Sequence, residues 1–199
     1  MRQILVTNDD GVEADGLRAL AETLRAIGDV TVVAPAEEAS AVSHALTVRR
    51  PLQLREVREA WYSVDGTPTD CVNVAISEVM GRVPDLVVSG INNGLNVGDD
   101  VTYSGTVAGA LEGVLLGAPA LAVSLQRSSG SMDYTAAAQV ARQLAASVLD
   151  QGLPPRTLLN VNVPRRAHHG IRTTVQARRT QAFGMHGPSG VEGPSLVWI

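Results

Sequence analysis

The chain has 199 residues, 45% hydrophobic and 18% charged, enough for one domain with a sizeable core or one domain plus an appendage. Its 16 basic and 20 acidic side chains leave a net charge of −4, which gives no sign of general affinity for nucleic acid or an anionic membrane. Its basic side chains besides histidine are all arginine, so a Walker-type phosphate loop and Schiff-base chemistry are excluded. Any phosphate must be held by backbone N–H groups, hydroxyls, amides, arginine or metal.

Ile4 to Thr7 reads as a strand buried on both faces, because its apolar side chains run on without a break. It stops at Asn8-Asp9-Asp10-Gly11. Two adjacent carboxylates repel. A divalent cation with oxygen ligands would hold them, and a turn that caps the next helix is the other reading. Leu17, Leu20, Ala21, Leu24 and Ile27 recur at helical spacing, which predicts a helix from Ala14 or Asp15 that ends at Gly28. Val30 to Ala34 is a second buried strand closed by Pro35, so the unit is β-α-β with parallel pairing.

Glu37 to His44 reads as a loop. Leu46-Thr47-Val48, Leu52-Gln53-Leu54 and Trp61 to Val64 suit short, half-exposed strands. Gly66-Thr67-Pro68-Thr69-Asp70 turns into a helix, with Thr69 the expected N-cap and Val72, Ala75, Ile76 and Val79 inward. Asp85 to Ser89 is a third core strand, and a glycine- and asparagine-rich loop follows from Gly90 to Asp100. A loop of that length in a compact domain is usually functional or disordered. Thr106 to Leu116 is a helix of small residues, Ala120 to Leu125 a strand, Arg127 to Met132 a loop and Asp133 to Leu149 a helix. Leu158 to Val163 is a fifth core strand, ended by Pro164. From Arg165 the chain turns rich in arginine, glycine and proline. It reads as a β-hairpin arm with strand-like ends at Ile171 to Val175 and Leu196 to Ile199. The expected organisation is therefore a domain over 1–164 and an arm over 165–199.

In a doubly wound sheet, Asn8-Asp9-Asp10, Glu37 to His44 and Ser89 to Asn96 converge at one edge. Their carboxylates, hydroxyl and amide form an all-oxygen set, suited to magnesium, manganese or calcium rather than structural zinc. The alternative is that these side chains only satisfy the loop backbone. Ser104-Gly105-Thr106 opens a helix, where free N–H groups and two hydroxyls offer a phosphate cradle; plain capping by Ser104 is the alternative. His44 is the histidine near the cluster, an acid or base or a bystander, while His168, His169 and His186 fall in the arm. Cys71, the single cysteine, excludes an intrachain disulfide and suggests a reducing compartment; its valine neighbours favour an inert core thiol. The start, Met1-Arg2-Gln3, carries no pattern of a signal peptide. The first βα turn lacks G-x-G-x-x-G and bears carboxylates where a pyrophosphate would sit, which disfavours a dinucleotide oxidoreductase.

Five stretches in this order resemble the SurE family: Ile4 to Gly11, Ser40 to Thr47, Gly66 to Cys71, Ser89 to Asn92 and Gly98 to Gly113. These are stationary-phase survival proteins, metal-dependent nucleotidases. The match runs in register from the first residue to about Pro164, and weakly through Trp198. The resemblance implies a Rossmann-like, doubly wound, mostly parallel α/β sheet and an activity on nucleoside 5′- and 3′-monophosphates, often also on short polyphosphate. It implies one divalent ion per subunit, magnesium or manganese, held by Asp9, Asp10, Ser40 and Asn92. Asn96, Ser104, Gly105 and Thr106 match the phosphate pocket. Ala41 departs from the glycine common in the family. Family members also run on past the position of Trp198-Ile199, into late strands and an exchanged segment.

The expected protein is thus a cytoplasmic phosphomonoesterase in which Asp9 and Asp10 are the catalytic pair. The rival is a nucleotide-binding regulatory module without catalysis. The expected partners are a nucleoside monophosphate and further copies of the chain, as a homodimer or homotetramer joined through the arm, with no nucleic acid polymer and no membrane.

Overall fold

The computed structural model describes residues 1–165 and 170–178. The chain order is β1 (Gln3–Thr7), α1 (Asp15–Leu24), β2 (Asp29–Pro35), β3 (Leu54–Arg58), β4 (Trp61–Val64), α2 (Pro68–Val74) and β5 (Leu86–Asn93). A 3₁₀ helix (Gly98–Tyr103), α3 (Gly105–Leu115), β6 (Ala120–Leu125), α4 (Thr135–Gln151) and β7 (Leu158–Val163) follow. α2 runs on into one π-helical turn, Ala75–Val79.

The seven strands form one sheet in the order β3-β4-β2-β1-β5-β6-β7. All neighbours are parallel except β3 and β4. The fold is the doubly wound, mostly parallel α/β sheet that the family resemblance implies, and its core strands are the apolar runs. Successive side chains point to opposite faces, and both faces are covered. Ile4 and Val6 join Leu17, Leu20 and Leu24 of α1 and Ala141 of α4. Leu5 joins Cys71 and Val72 of α2 and Val107 and Ala110 of α3 on the other side. Strands that meet apolar helices on both faces have no polar face to alternate with, hence the unbroken runs. β1 lies between β2 and β5, so the chain winds one way from β1 and later returns to its other side. The switch point is therefore at the carboxyl ends of β1 and β5, where open sheets of this kind leave a crevice.

Several expectations shift. Residues 46–48 and 51–53 are irregular, and the strand in that region is β3, exposed along its whole length. Its Arg55, Glu56 and Arg58 put charge on a sheet edge, a common guard against edge pairing. The first helix stops at Leu24, and Ile27 packs on the core from beyond its end. Thr67, not Thr69, caps α2: its Oγ1 accepts from Asp70 N (3.1 Å) while Asp70 Oδ2 accepts from Thr67 N (2.9 Å). Pro68 explains the choice, since proline favours the first helical position and leaves the cap to the residue before it. β5 runs four residues past Ser89, to Asn93. At Gly90 a side chain has no room, because a Cβ would lie 2.3 Å from Val123 O and φ is +134°. Of the expected arm, residues 170–178 are irregular and exposed, and Gln176 Nε2 donates to Gly98 O at 2.9 Å. Leu196 to Ile199 and the three arm histidines lie outside the described residues. Among the described residues no helix is long and apolar enough to cross a membrane.

Candidate active site

Asn8, Asp9 and Asp10 leave the end of β1 at the switch point. Asn8 Nδ2 donates to Gly11 O (2.9 Å), which closes the turn. Gly11 sits at φ +101° with the backbone of Glu37 and Glu38 against it, so this exit from the strand needs glycine. Ala39 N donates to Asp9 O (2.8 Å), which moors the loop after β2 to the same point.

Asp9 is 4% exposed. Its Oδ1 accepts the Thr106 hydroxyl hydrogen at 2.5 Å, and the Thr106 backbone N–H is close enough to favour the charged form. Burial raises its pKa above the ordinary aspartate range, against the lowering effect of those groups. Asp10 is half-buried and accepts from the Asn93 N–H at the end of β5. Burial first, then the charge of Asp9, push it up to about 6. Glu38 adds negative charge at both aspartates. Three carboxylates thus share one sheet edge.

Gly105 begins α3 directly behind Asp9. A Cβ there would lie 2.7 Å from Asp9 Cβ and 2.9 Å from Asp9 Oδ2. The helix start and the carboxylate are in contact because this residue has no side chain. Ser104 is the N-cap of α3, its Oγ accepting from Val107 N at 3.1 Å. The capping reading of Ser104 therefore holds, and the Val107 N–H group is already engaged.

The other expected residues stand at the same edge with different partners. Ser40 is exposed and donates its Oγ hydrogen to Glu38 Oε1 (2.7 Å). Asn92 is half-buried and donates through Nδ2 to Gly94 O (2.8 Å), which commits the amide nitrogen and leaves the oxygen as an acceptor. Asn96 is buried and committed to its neighbours: its Nδ2 donates to Ser124 Oγ (2.8 Å), and its backbone carbonyl accepts from Asn160 Nδ2 (2.8 Å) and Asn162 Nδ2 (3.0 Å). It pins the long loop to β6 and β7. The alternation Asn160-Val161-Asn162 carried this signal, since two amides at period two share one face of a strand.

His44 reaches Glu112 of α3, with Nε2 and Oε2 2.6 Å apart, and Asn73 Nδ2 donates to the other oxygen at 2.6 Å. Glu112 is buried, a pairing that helical spacing could not reveal. Cys71 is fully buried, and burial raises its thiol well above the ordinary range, which agrees with an inert core residue.

The donor set fits a hard divalent cation. Two partly desolvated carboxylates with raised pKa lie together, and the cation with a marked effect on Asp10, Arg127, has a smaller one than burial, Asp9 or Glu38. Asn8 Oδ1 and Asn93 Oδ1 are buried oxygens with no hydrogen-bond partner among the described residues. No group of three or more histidine, cysteine or acidic side chains suited to a metal occurs among the described residues. A metal here would draw on neutral oxygens as well, the pattern of hard cations rather than zinc.

A family model described as survival protein SurE matches residues 4–183. The chain is 52% identical over 200 residues to the 5′-nucleotidase SurE of Geobacter metallireducens, covering 99% of this chain and 79% of that one. It is 51% identical over 199 residues to the 5′-nucleotidase SurE of Pelobacter propionicus, covering 98% of this chain and 81% of that one. Among solved structures, the SurE protein of Aquifex aeolicus superposes with a TM-score of 0.90 at 40% identity, covering 98% of this chain and 81% of that chain.

Proposed function

Because the chain belongs to the survival protein SurE family, we propose that it is a phosphatase that hydrolyses nucleoside 5′-monophosphates, and 3′-monophosphates as well. The carrying observation is Asp9: a buried carboxylate at the switch point, in contact with the start of α3 and beside the half-buried Asp10. Burying two carboxylates side by side is costly, and a divalent cation offsets that cost. The relatives named 5′-nucleotidase support the substrate class.

Asp9, Asp10, Ser40 and Asn92 would hold one magnesium or manganese ion per subunit. When bound, such an ion supplies a Lewis acid for a phosphate oxygen and lowers the pKa of water. The rest falls to the chain itself. Thr106 orients Asp9, and Glu38 orients Ser40. The α3 N-terminus places its dipole behind the phosphate. The arm over 165–199 is too poor in apolar residues to build a core of its own. That supports a role for it in a homodimer or homotetramer contact, which light scattering of the full chain tests.

The test of the activity is phosphate release from a nucleoside 5′-monophosphate, with manganese and with chelator. The expected result is turnover that needs the metal. Nucleotide binding without phosphate release, in manganese and magnesium alike, overturns the reading.

A further inference from the structure

We infer that Arg127 is a phosphate-binding residue of this site, its guanidinium taking substrate phosphate oxygens that the carboxylate cluster cannot engage. The inference rests on the phosphatase reading above. Arg127 follows β6, the neighbour of β5 at the switch point. Its Nε donates to Asn93 O at 2.7 Å. The head lies over Asn93 and Gly94, where a Cβ on Gly94 would sit 3.4 Å from Nε. Asn93 is also the residue whose N–H bonds Asp10. The guanidinium is thus anchored by one N–H at the rim of the acidic cluster. Neither Nη group meets an acceptor among the described residues, and the side chain is exposed.

Neutralising Asp10 does not account for Arg127. The two form no ion pair, and of the main influences on Asp10 the pull of Arg127 is the smallest. Other arginines are committed elsewhere: Arg18 to Asp15, Arg50 to Asp65, Arg82 to Asp85, and Arg58 over the Trp61 ring.

The need for a cation is independent of these contacts. A phosphate monoester dianion that approaches Asp9, Asp10 and Glu38 meets three carboxylates. The chain has no lysine to offset them. Of the donors at the α3 start, the Thr106 hydroxyl serves Asp9, and Val107 N serves Ser104. The Asn96 amide serves Ser124. A guanidinium held through Nε still presents two Nη groups, the fork that matches two phosphate oxygens.

The test uses the full chain saturated with manganese, as wild type, Arg127→Gln and Arg127→Lys. KM and kcat are measured with a nucleoside 5′-monophosphate, the inhibition constant with inorganic phosphate, and manganese affinity by calorimetry without nucleotide. Loss of a charge-assisted contact predicts that Arg127→Gln raises KM and the phosphate inhibition constant together, by about 10- to 100-fold. kcat stays within about threefold, since the contact is made in ground state and transition state alike. Manganese affinity is kept or tightened, because a cation has left the cluster. Arg127→Lys, with charge but no fork, falls between. An unchanged phosphate inhibition constant overturns the inference. So does weaker manganese binding with normal phosphate affinity at saturating metal, which would make Arg127 a mere support for Asn93. If the wild type hydrolyses no nucleotide, the phosphatase reading fails by itself. Calorimetric binding of inorganic phosphate to the manganese-loaded chain then decides Arg127: a loss in Arg127→Gln supports it, and equal or absent binding in both proteins overturns it.

Discussion

Thr106 Oγ1 and Asp9 Oδ1 meet at 2.5 Å across 97 residues of chain. The bond joins the end of β1 to the first turn of α3 and sets the rotamer of the buried carboxylate. Gly105 keeps the way clear for it. Three features that look independent along the chain are one device in the fold.

Asp9→Asn keeps the shape and removes the charge. Phosphate release in manganese should fall by at least about 100-fold, since metal-ion catalysis supplies several kcal/mol of charge stabilisation. The metal-free melting temperature should hold or rise, because close like charges no longer repel. Near wild-type turnover in purified Asp9→Asn protein would remove Asp9 from the mechanism.

Thr106→Val leaves Asp9 without its hydroxyl donor at nearly equal volume. A lost orienting partner of this kind costs about 10- to 100-fold in metal affinity or activity. Gly105→Ala tests the same contact by crowding, because the new Cβ would press on Asp9 Cβ at 2.7 Å. Activity should drop in both variants while circular dichroism stays native. Full activity in Gly105→Ala would mean that Asp9 moves freely.

The bond between His44 and Glu112 ties the loop after β2 to the middle of α3. His44→Ala leaves a buried carboxylate oxygen unpaired, which should lower unfolding free energy by about 1–3 kcal/mol. Urea denaturation measures this, and hydrogen exchange over residues 36–47 should quicken. An unaltered denaturation midpoint would show that the pair contributes nothing.

Acidity provides a further test. Asp10 lies near 6 in the folded chain against an ordinary 3.8, so the folded state binds its proton more tightly than the unfolded state. That contribution to stability is full below the ordinary value and is lost as pH rises through about 6. The metal-free protein should therefore lose stability across this window relative to Asp10→Asn. Manganese competes with the same proton, so its affinity should climb over the same range. Parallel melting curves of the two proteins from pH 4 to 7 would contradict the assignment.

Much of the site was legible because its residues follow strands. A strand buried on both faces is an unbroken apolar run, and its end is conspicuous when the chain turns to Asn8-Asp9-Asp10. Boundaries were less legible where backbone chemistry overrides side-chain pattern. Thr69 begins the apolar stripe, yet Pro68 moves the cap to Thr67. β5 goes on past its apolar residues to Asn93, because backbone pairing with β6 does not require apolar side chains.

By itself the sequence determined the parallel α/β class, the order of its core strands and helices and the polar strand ends that a parallel sheet must gather at one edge. The physical reason is local: hydrophobic period and turn chemistry are properties of neighbouring residues. Only the tertiary structure decided which polar groups remain available. Asn96, read as a pocket residue, serves Ser124, Asn160 and Asn162, while Arg127, read as part of a loop, lies at the rim of the carboxylates. Hydrogen bonds between residues tens of positions apart satisfy a donor or leave it free, and no spacing along the chain encodes which.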